Sequence, residues 1–259
     1  MKLAYCQYDV KNGDINANLK TVKRLLKNLD ADIVVLPELA FTGYAFASKE
    51  ALRPYTIPAI QTRIIEEMTS IARQYNLVIV AGMAESEQNH LYNSAFIIDK
   101  TGLVGKHRKI NLTDNEQMFT PGDSLEVYDV KGIKLGVTIC FDTWFPEAFR
   151  KLADKGAELI CAPSNFGGPW TIDVVKVRAL ENAIPVVMCN RIGLEIIAGE
   201  PAEFCGHSEI IDHQGNILIQ AQDEETVGVV AIEPKDADRN TSLICKNMLL
   251  ERSRYDQLK

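Results

Sequence analysis

Hydrophobic positions along the chain switch repeatedly between two periods, and the switches mark its elements. Residues 3–8 form a short apolar strand. Leu19, Val22, Leu26 and Leu29 recur every three or four residues, which predicts a helix over 16–29 with one buried face. The run Ile33-Val34-Val35-Leu36 is continuously apolar, as a strand covered on both faces requires. A helix over 62–75 and a buried strand over 77–81 follow. Then the pattern changes. Segments 92–99 and 103–109 flank Thr101-Gly102 as a hairpin, and 125–130 and 133–140 flank Lys131-Gly132 as a second. Alternation resumes with a helix over 146–155 that opens on Pro-Glu and stops at Gly156. A strand over 159–163, a helix over 172–182 and a strand over 184–190 come next. Segments 204–212 and 217–220 read as a third hairpin, followed by a strand over 226–232 and a polar tail from Asp236. Mixed βα units and hairpins, with no linker, repeat or low-complexity tract, predict one α/β domain of two sheets with helices outside.

Composition narrows the function classes. The 259 residues are 46% hydrophobic and 24% charged, ordinary globular values. Lys plus Arg number 28 against 35 Asp plus Glu, a net charge of −7 with no basic block. That balance argues against nucleic acid and against anionic membrane surfaces as partners. Six cysteines without a C-x-x-C pair are too sparse for a disulfide framework and lack the usual zinc spacing. The longest uncharged stretch, 159–172, contains two prolines and two glycines and is no membrane helix. The N-terminal MKLAYCQYDV has no signal-peptide pattern, so a cytoplasmic protein with free thiols is expected.

Four polar residues fall at or just beyond the C-terminal ends of buried strands: Glu38, Cys140, Asn165 and Asn190. In open α/β sheets ligands bind at those ends. A carboxylate directly after Val-Val-Leu-Pro is costly unless it has a partner or a task. Cys140 lies between an apolar strand and a helix start, where a helix dipole would favour its thiolate. Blander readings compete with each. Cys6, Cys161, Cys189, Cys205 and Cys245 read as core residues, since free cysteine behaves as a small hydrophobe. Glu38 alone fits a buried ion pair equally well, and Lys109 alone a solvated strand-end charge. His107 and His207 read as structural, and Cys205 with His207 supplies too few ligands for zinc. A Cys–His pair of the protease type stays open, because nothing flanking the four histidines singles one out.

Three blocks then resemble the signatures of the nitrilase superfamily, the carbon–nitrogen hydrolases. They are VVLPELAFTGY at 34–44, GKHRKINL at 105–112 and GVTICFDTWFPE at 136–147, in that order. Glu116 in NEQMFTPGD, the NRIG segment at 190–193 and Phe-Cys-Gly-His-Ser at 204–208 are similar too. The resemblance implies a four-layer α-β-β-α sandwich with two mixed sheets, residues 1–259 as one domain, and pairing into a homodimer. It implies Cys140 as nucleophile, Glu38 as general base, Lys109 as the cation beside the developing oxyanion, and Glu116 as a second glutamate. The Phe141 N–H would be a further oxyanion donor. The substrate pocket is expected to include Tyr44, Phe141, Trp144, Asn165, Phe166 and Trp170, with Arg191 facing the cleft. The helix over 146–155 and the tail, with Leu243, Ile244, Met248, Leu249 and Leu250, are expected at the dimer interface.

These roles suit amide hydrolysis: a thiol attacks the carbonyl, a base takes its proton and returns it to departing ammonia, and positive charge meets the oxyanion. No metal or organic cofactor is required. Cys140-Phe141-Asp142, where nitrilases proper tend to carry Cys-Trp-Glu, points to the amidase-like branch and a small linear amide. N-carbamoyl amines, omega-amides and nitriles are the alternative substrates. A non-catalytic scaffold is disfavoured by the intact Glu38, Lys109 and Cys140. An acyltransferase is disfavoured because synthetases of that kind are usually fused to a second catalytic domain.

Overall fold

In the computed structural model, which describes residues 1–168, 170–234, 251 and 253–255, successive strand residues face different layers. β1 (Lys2–Gln7) sends Leu3 and Tyr5 into one core and Ala4 and Cys6 into another, the two-residue period of a strand buried on both faces. Helix α1 (Ile15–Leu25) follows, capped by the Asp14 carboxylate on the Ala17 N–H. Next come β2 (Ile33–Val35), the single turn α2 (Lys49–Leu52) and α3 (Pro58–Tyr75). α3 starts four residues earlier than the hydrophobic period shows, because Pro58 occupies its first turn.

The chain continues through β3 (Val78–Glu87), β4 (His90–Asp99) and β5 (Gly102–Arg108), then β6 (Val127–Val130) and β7 (Ile133–Val137). α4 (Pro146–Asp154), β8 (Leu159–Pro163), α5 (Trp170–Asn182) and β9 (Val186–Cys189) repeat the βα alternation. The hairpin β10 (Ile192–Ile197) and β11 (Glu200–Cys205) precedes β12 (Glu209–Ile211), β13 (Ile217–Gln220) and β14 (Thr226–Ala231).

Among the described residues two six-stranded sheets form, ordered β14-β1-β2-β3-β4-β5 and β13-β12-β9-β8-β7-β6. Each holds a parallel centre flanked by antiparallel strands. Leu3, Tyr5, Ile33, Val35, Val78 and Val80 of the first sheet share a core with Leu135, Val137 and Leu159 of the second. Ala4, Val34, Leu36 and Ile79 instead pack under Leu19 and Val22 of α1, Leu26 at its C-terminal end, and Ile64 and Met68 of α3. Phe149 and Leu152 of α4 and Val175 and Ala179 of α5 cover the second sheet. The layers are therefore α-β-β-α, and β2, β7, β8 and β9 point their C-terminal ends to one edge.

Two expectations need correction. Segment 204–212 is not one strand: Gly206 and His207 both take positive φ, 68° and 56°, which breaks the ladder. Phe204 and Cys205 instead end β11, which pairs with β10 from Ile192↔Cys205 to Ile197↔Glu200, a hairpin that the polar, Pro201-containing sequence of β11 concealed. The strand expected over 133–140 ends at Val137, because Cys140 turns the chain. The tail from Asp236, and with it Cys245 and the apolar residues expected at an interface, lies outside the described residues.

Candidate active site

Four side chains carried by different elements meet at the strand ends. Glu38 follows β2, where Leu36 still hydrogen-bonds Val80 and Leu39 turns at φ 49°. The turn fits only because Gly82 has no side chain: a Cβ there would lie 2.4 Å from the Pro37 carbonyl oxygen and 2.5 Å from Glu38 Cα. Lys109 follows β5. Its N–H bonds the Asn93 carbonyl at 2.8 Å and its carbonyl accepts from Gly122 at 2.8 Å. Glu116 ends a single 3₁₀ turn and accepts the Thr113 N–H on Oε2 at 2.9 Å.

Lys109 Nζ lies 2.8 Å from Glu38 Oε1 and 2.8 and 2.7 Å from the two oxygens of Glu116. Asn93 Nδ2 donates to Glu38 Oε1 at 2.6 Å and to Glu116 Oε1 at 2.8 Å. All four residues are buried. Two carboxylates beside one ammonium are tolerable in a dry site only with these added donors. Burial, opposed by Lys109 and reinforced by Glu116, pushes the Glu38 carboxyl above its ordinary value. Burial works against the charge on Lys109, but Glu38, Cys140 and Glu116 outweigh it and hold the ammonium well above its usual range.

Cys140 opens a 3₁₀ turn (Cys140–Trp144) at φ 46°, a left-handed conformation that a non-glycine residue adopts at a cost of about 1–3 kcal/mol. The turn is fastened from several sides. Thr143 Oγ1 donates to the Cys140 carbonyl, and Arg178 of α5 donates to the carbonyls of Thr143 and Trp144, at 3.0 Å each. The Asp142 carboxylate accepts from Ile139 N–H at 3.2 Å and His107 Nε2 at 3.1 Å. It also accepts from the Ile110 and Asn111 N–H groups at 3.2 and 2.8 Å, tying the Lys109 segment to the Cys140 turn. The Asn165 backbone N–H is directed at the Cys140 sulfur.

Burial, then the negative charge of Glu38, pushes the Cys140 thiol well up, and Lys109 only partly offsets them. The thiolate expected from a helix dipole is thus not favoured in the resting site. The turn is one 3₁₀ turn and the sulfur faces two carboxylates.

The expected pocket residues separate. Asn165 lies against the site; with its amide assigned from neighbouring acceptors it donates to the Glu38 carbonyl at 3.2 Å and the Ser164 carbonyl at 3.0 Å. Phe166 is buried and anchored by Asn190, whose Oδ1 accepts its N–H at 2.8 Å. Tyr44 bonds Thr113 Oγ1 through its hydroxyl at 3.0 Å, above Glu116. Phe141 packs edge-on against Phe145. Trp144 and Trp170 are 42% and 72% exposed.

Arg191, expected to face the cleft, is fully buried. Its guanidinium is committed to Glu195 and the Val10 carbonyl, 3.5 Å from Asp9 and stacked on Phe204. Glu195 in turn accepts the Tyr44 and Ala45 N–H groups at 3.1 and 2.8 Å, so Arg191 secures the Tyr44 loop instead of a substrate. A cavity of about 540 Å³ opens beside the site between 46–49, the Glu116 neighbours Asn115 and Gln117, and Ile197–Ala198. None of the expected pocket residues lines it.

Asn93 and Asp142 were missed by sequence reasoning. The signal for Asn93 was available: it interrupts the inward-facing series Leu91, Ala95, Ile97 of β4 with a buried amide. Among the described residues no group of three or more His, Cys, Asp or Glu side chains is arranged to hold a metal ion. Nor is any helix among them long and apolar enough to cross a membrane.

Residues 2–239 match the carbon–nitrogen hydrolase family. The chain belongs to that family. This carbon–nitrogen hydrolase is 36% identical over 239 residues to a nitrilase of Pyrococcus abyssi, covering 90% of each chain. It is 34% identical to an N-carbamoylputrescine amidase of Solanum tuberosum, covering 84% of this chain and 81% of that one. A crystal structure of a carbon–nitrogen hydrolase from Helicobacter pylori G27 superposes with TM-score 0.83 at 25% identity, over 92% of this chain and 91% of that one. Like other members, the carbon–nitrogen hydrolase described here is an enzyme, a cysteine-dependent hydrolase.

Proposed function

We propose that the enzyme hydrolyses a small linear amide to an acid and ammonia through a thioester on Cys140. The observation that carries this reading is the closed set of hydrogen bonds that Lys109 and Asn93 make to Glu38 and Glu116 beside the Cys140 turn. Glu38 takes the thiol proton as sulfur attacks the carbonyl, then passes it to the departing nitrogen. The Lys109 ammonium and the Phe141 N–H stabilise the oxyanion. Water, deprotonated by Glu38, then cleaves the thioester. A neutral thiol beside a carboxylate of raised pKa suits this sequence, because the proton moves only when substrate is present. The Solanum relative favours a second substrate class, N-carbamoyl amines, which the same steps would hydrolyse.

Ammonia release from short amides, omega-amides, N-carbamoyl amines and nitriles tests the reading. Amide turnover should lead, and turnover of nitriles alone would reject it. The pH profile of kcat/KM follows from the same groups. The base form of Glu38 is lost as pH falls through its raised pKa, so the acid limb should lie above the ordinary carboxylate range. The thiol proton is lost only at high pH, so the optimum should be displaced to the alkaline side. An acid limb near 4, the unperturbed carboxylate value, would contradict Glu38 as the base.

The same reading includes a cytoplasmic homodimer. Trp170, Val177 and Leu180 stand exposed along one stripe of α5, with Trp144 at the adjoining turn. A second copy would cover this face and α4 beside it. Light scattering should give about twice the 28.9 kDa chain mass, and a monomer at micromolar concentration would count against the pairing.

A further inference from the structure

We infer that Asn93 is a positioning residue that reserves Oε2 of Glu38 for the travelling proton. The inference rests on the reading of Glu38 as the base. Both hydrogens of the Asn93 amide are used, one on Glu38 Oε1 and one on Glu116 Oε1. Lys109 Nζ contacts the same two oxygens. Glu38 Oε1 thus receives two donors, neither of which can accept a proton back from it. Oε2 receives none of these bonds and is the oxygen left to exchange a proton with sulfur or with nitrogen.

Glu116 differs. Lys109 and Asn93 occupy its Oε1, and Lys109 and the Thr113 N–H occupy its Oε2, so neither oxygen is left open. Asn93 is what makes the two carboxylates unequal partners of one lysine. Its own Oδ1 is buried without a hydrogen-bond partner. An amide kept only for packing would be expected to turn that oxygen toward a donor, since an unpaired buried acceptor is costly. Here both hydrogens point at carboxylates and the oxygen goes unpaired.

The charged and titratable groups that face Glu38 are Lys109, Glu116, Cys140 and Tyr44. Removing the Asn93 donor withdraws a bond that favours the Glu38 carboxylate, so the Glu38 pKa rises and the acid limb moves to higher pH. The test is kcat, KM and the kcat/KM pH profile of Asn93→Ala and Asn93→Ser, with thermal melting as the fold control. In Asn93→Ala, kcat should fall roughly tenfold or more, with KM changed less, and the acid limb should rise by about half a unit. Asn93→Ser keeps one donor hydrogen and should fall between Ala and the parent. It also carries the test alone if the alanine variant does not fold.

A lowered melting point with an unmoved acid limb would overturn the inference and leave Asn93 a packing residue. Cys140→Ala, measured alongside, separates the two levels. If it still turns over substrate, the proposed function itself fails. If it is inactive while the Asn93 variants keep the parent profile, only this inference fails.

Discussion

Cys140→Ala is expected to abolish turnover while leaving the fold and melting temperature close to those of the parent. The side chain is small and buried, and alanine keeps both the volume near it and the positive φ of 46°. Loss of a covalent step should cost many powers of ten, whereas a variant within tenfold of the parent would have lost only about 1.4 kcal/mol of barrier. That second outcome would remove Cys140 from the mechanism. Alkylation supplies an independent reading. Iodoacetamide should modify Cys140 in the parent, slowly because its thiol is held neutral, and a peptide map of the variant should lack that site. Cys6, Cys161 and Cys189 are 0% exposed against 8% for Cys140, so they should not take its place. Cys140→Gly is the informative control. It should be equally inactive but no less stable, because glycine accepts a left-handed backbone that costs cysteine about 1–3 kcal/mol.

The layers and the strand ends were legible because burial on both faces writes a simple pattern. Ile33-Val34-Val35-Leu36 has no polar residue to place, and Glu38 directly after it stands out. The period of α1 identifies its inward face in the same way, and α4 is marked by its Pro-Glu start and its stop at Gly156. What escaped were features fixed by partners remote in sequence. Asn93 is an ordinary strand asparagine until β4 is set beside the Glu38 turn and the Thr113–Glu116 turn, 55 and 23 residues away. Asp142 could be seen to follow Cys140 closely, but not that it gathers four donors from two segments.

Arg191 misled for a related reason. A charged side chain beside a strand end reads as a ligand contact, yet Glu195, four residues on, neutralises it inside the protein. The break at Gly206-His207 depends on two positive φ values, and histidine gives little warning of one. The expectation of a thiolate failed on energetics. A dipole at one short turn is a weak term, worth about 1 kcal/mol or less at a typical helix end, beside burial next to two carboxylates.

Glu116→Gln should lower kcat by about a hundredfold or more, the range a positioned acid–base group contributes, and should move the acid limb the opposite way from Asn93→Ala. Glutamine has the shape of glutamate but brings an NH₂ group into a position where every neighbour is a donor. Lys109, Asn93 and the Thr113 N–H all point at the two oxygens of Glu116. Whichever way the new amide turns, one donor meets another, and Lys109 loses one of its two counter-charges. The ammonium is then drawn wholly to Glu38. The sign for Glu38 follows from its two charged neighbours: Lys109 lowers its pKa and Glu116 raises it. Deleting the Glu116 charge leaves the lowering influence alone, so Glu38 becomes a weaker base and its acid limb falls to lower pH. A slower enzyme with a broader acid side is the expected signature. An unchanged rate and an unchanged profile would mean that Glu116 serves only to fasten the Thr113 turn, and that Glu38, Lys109 and Cys140 carry the chemistry without it.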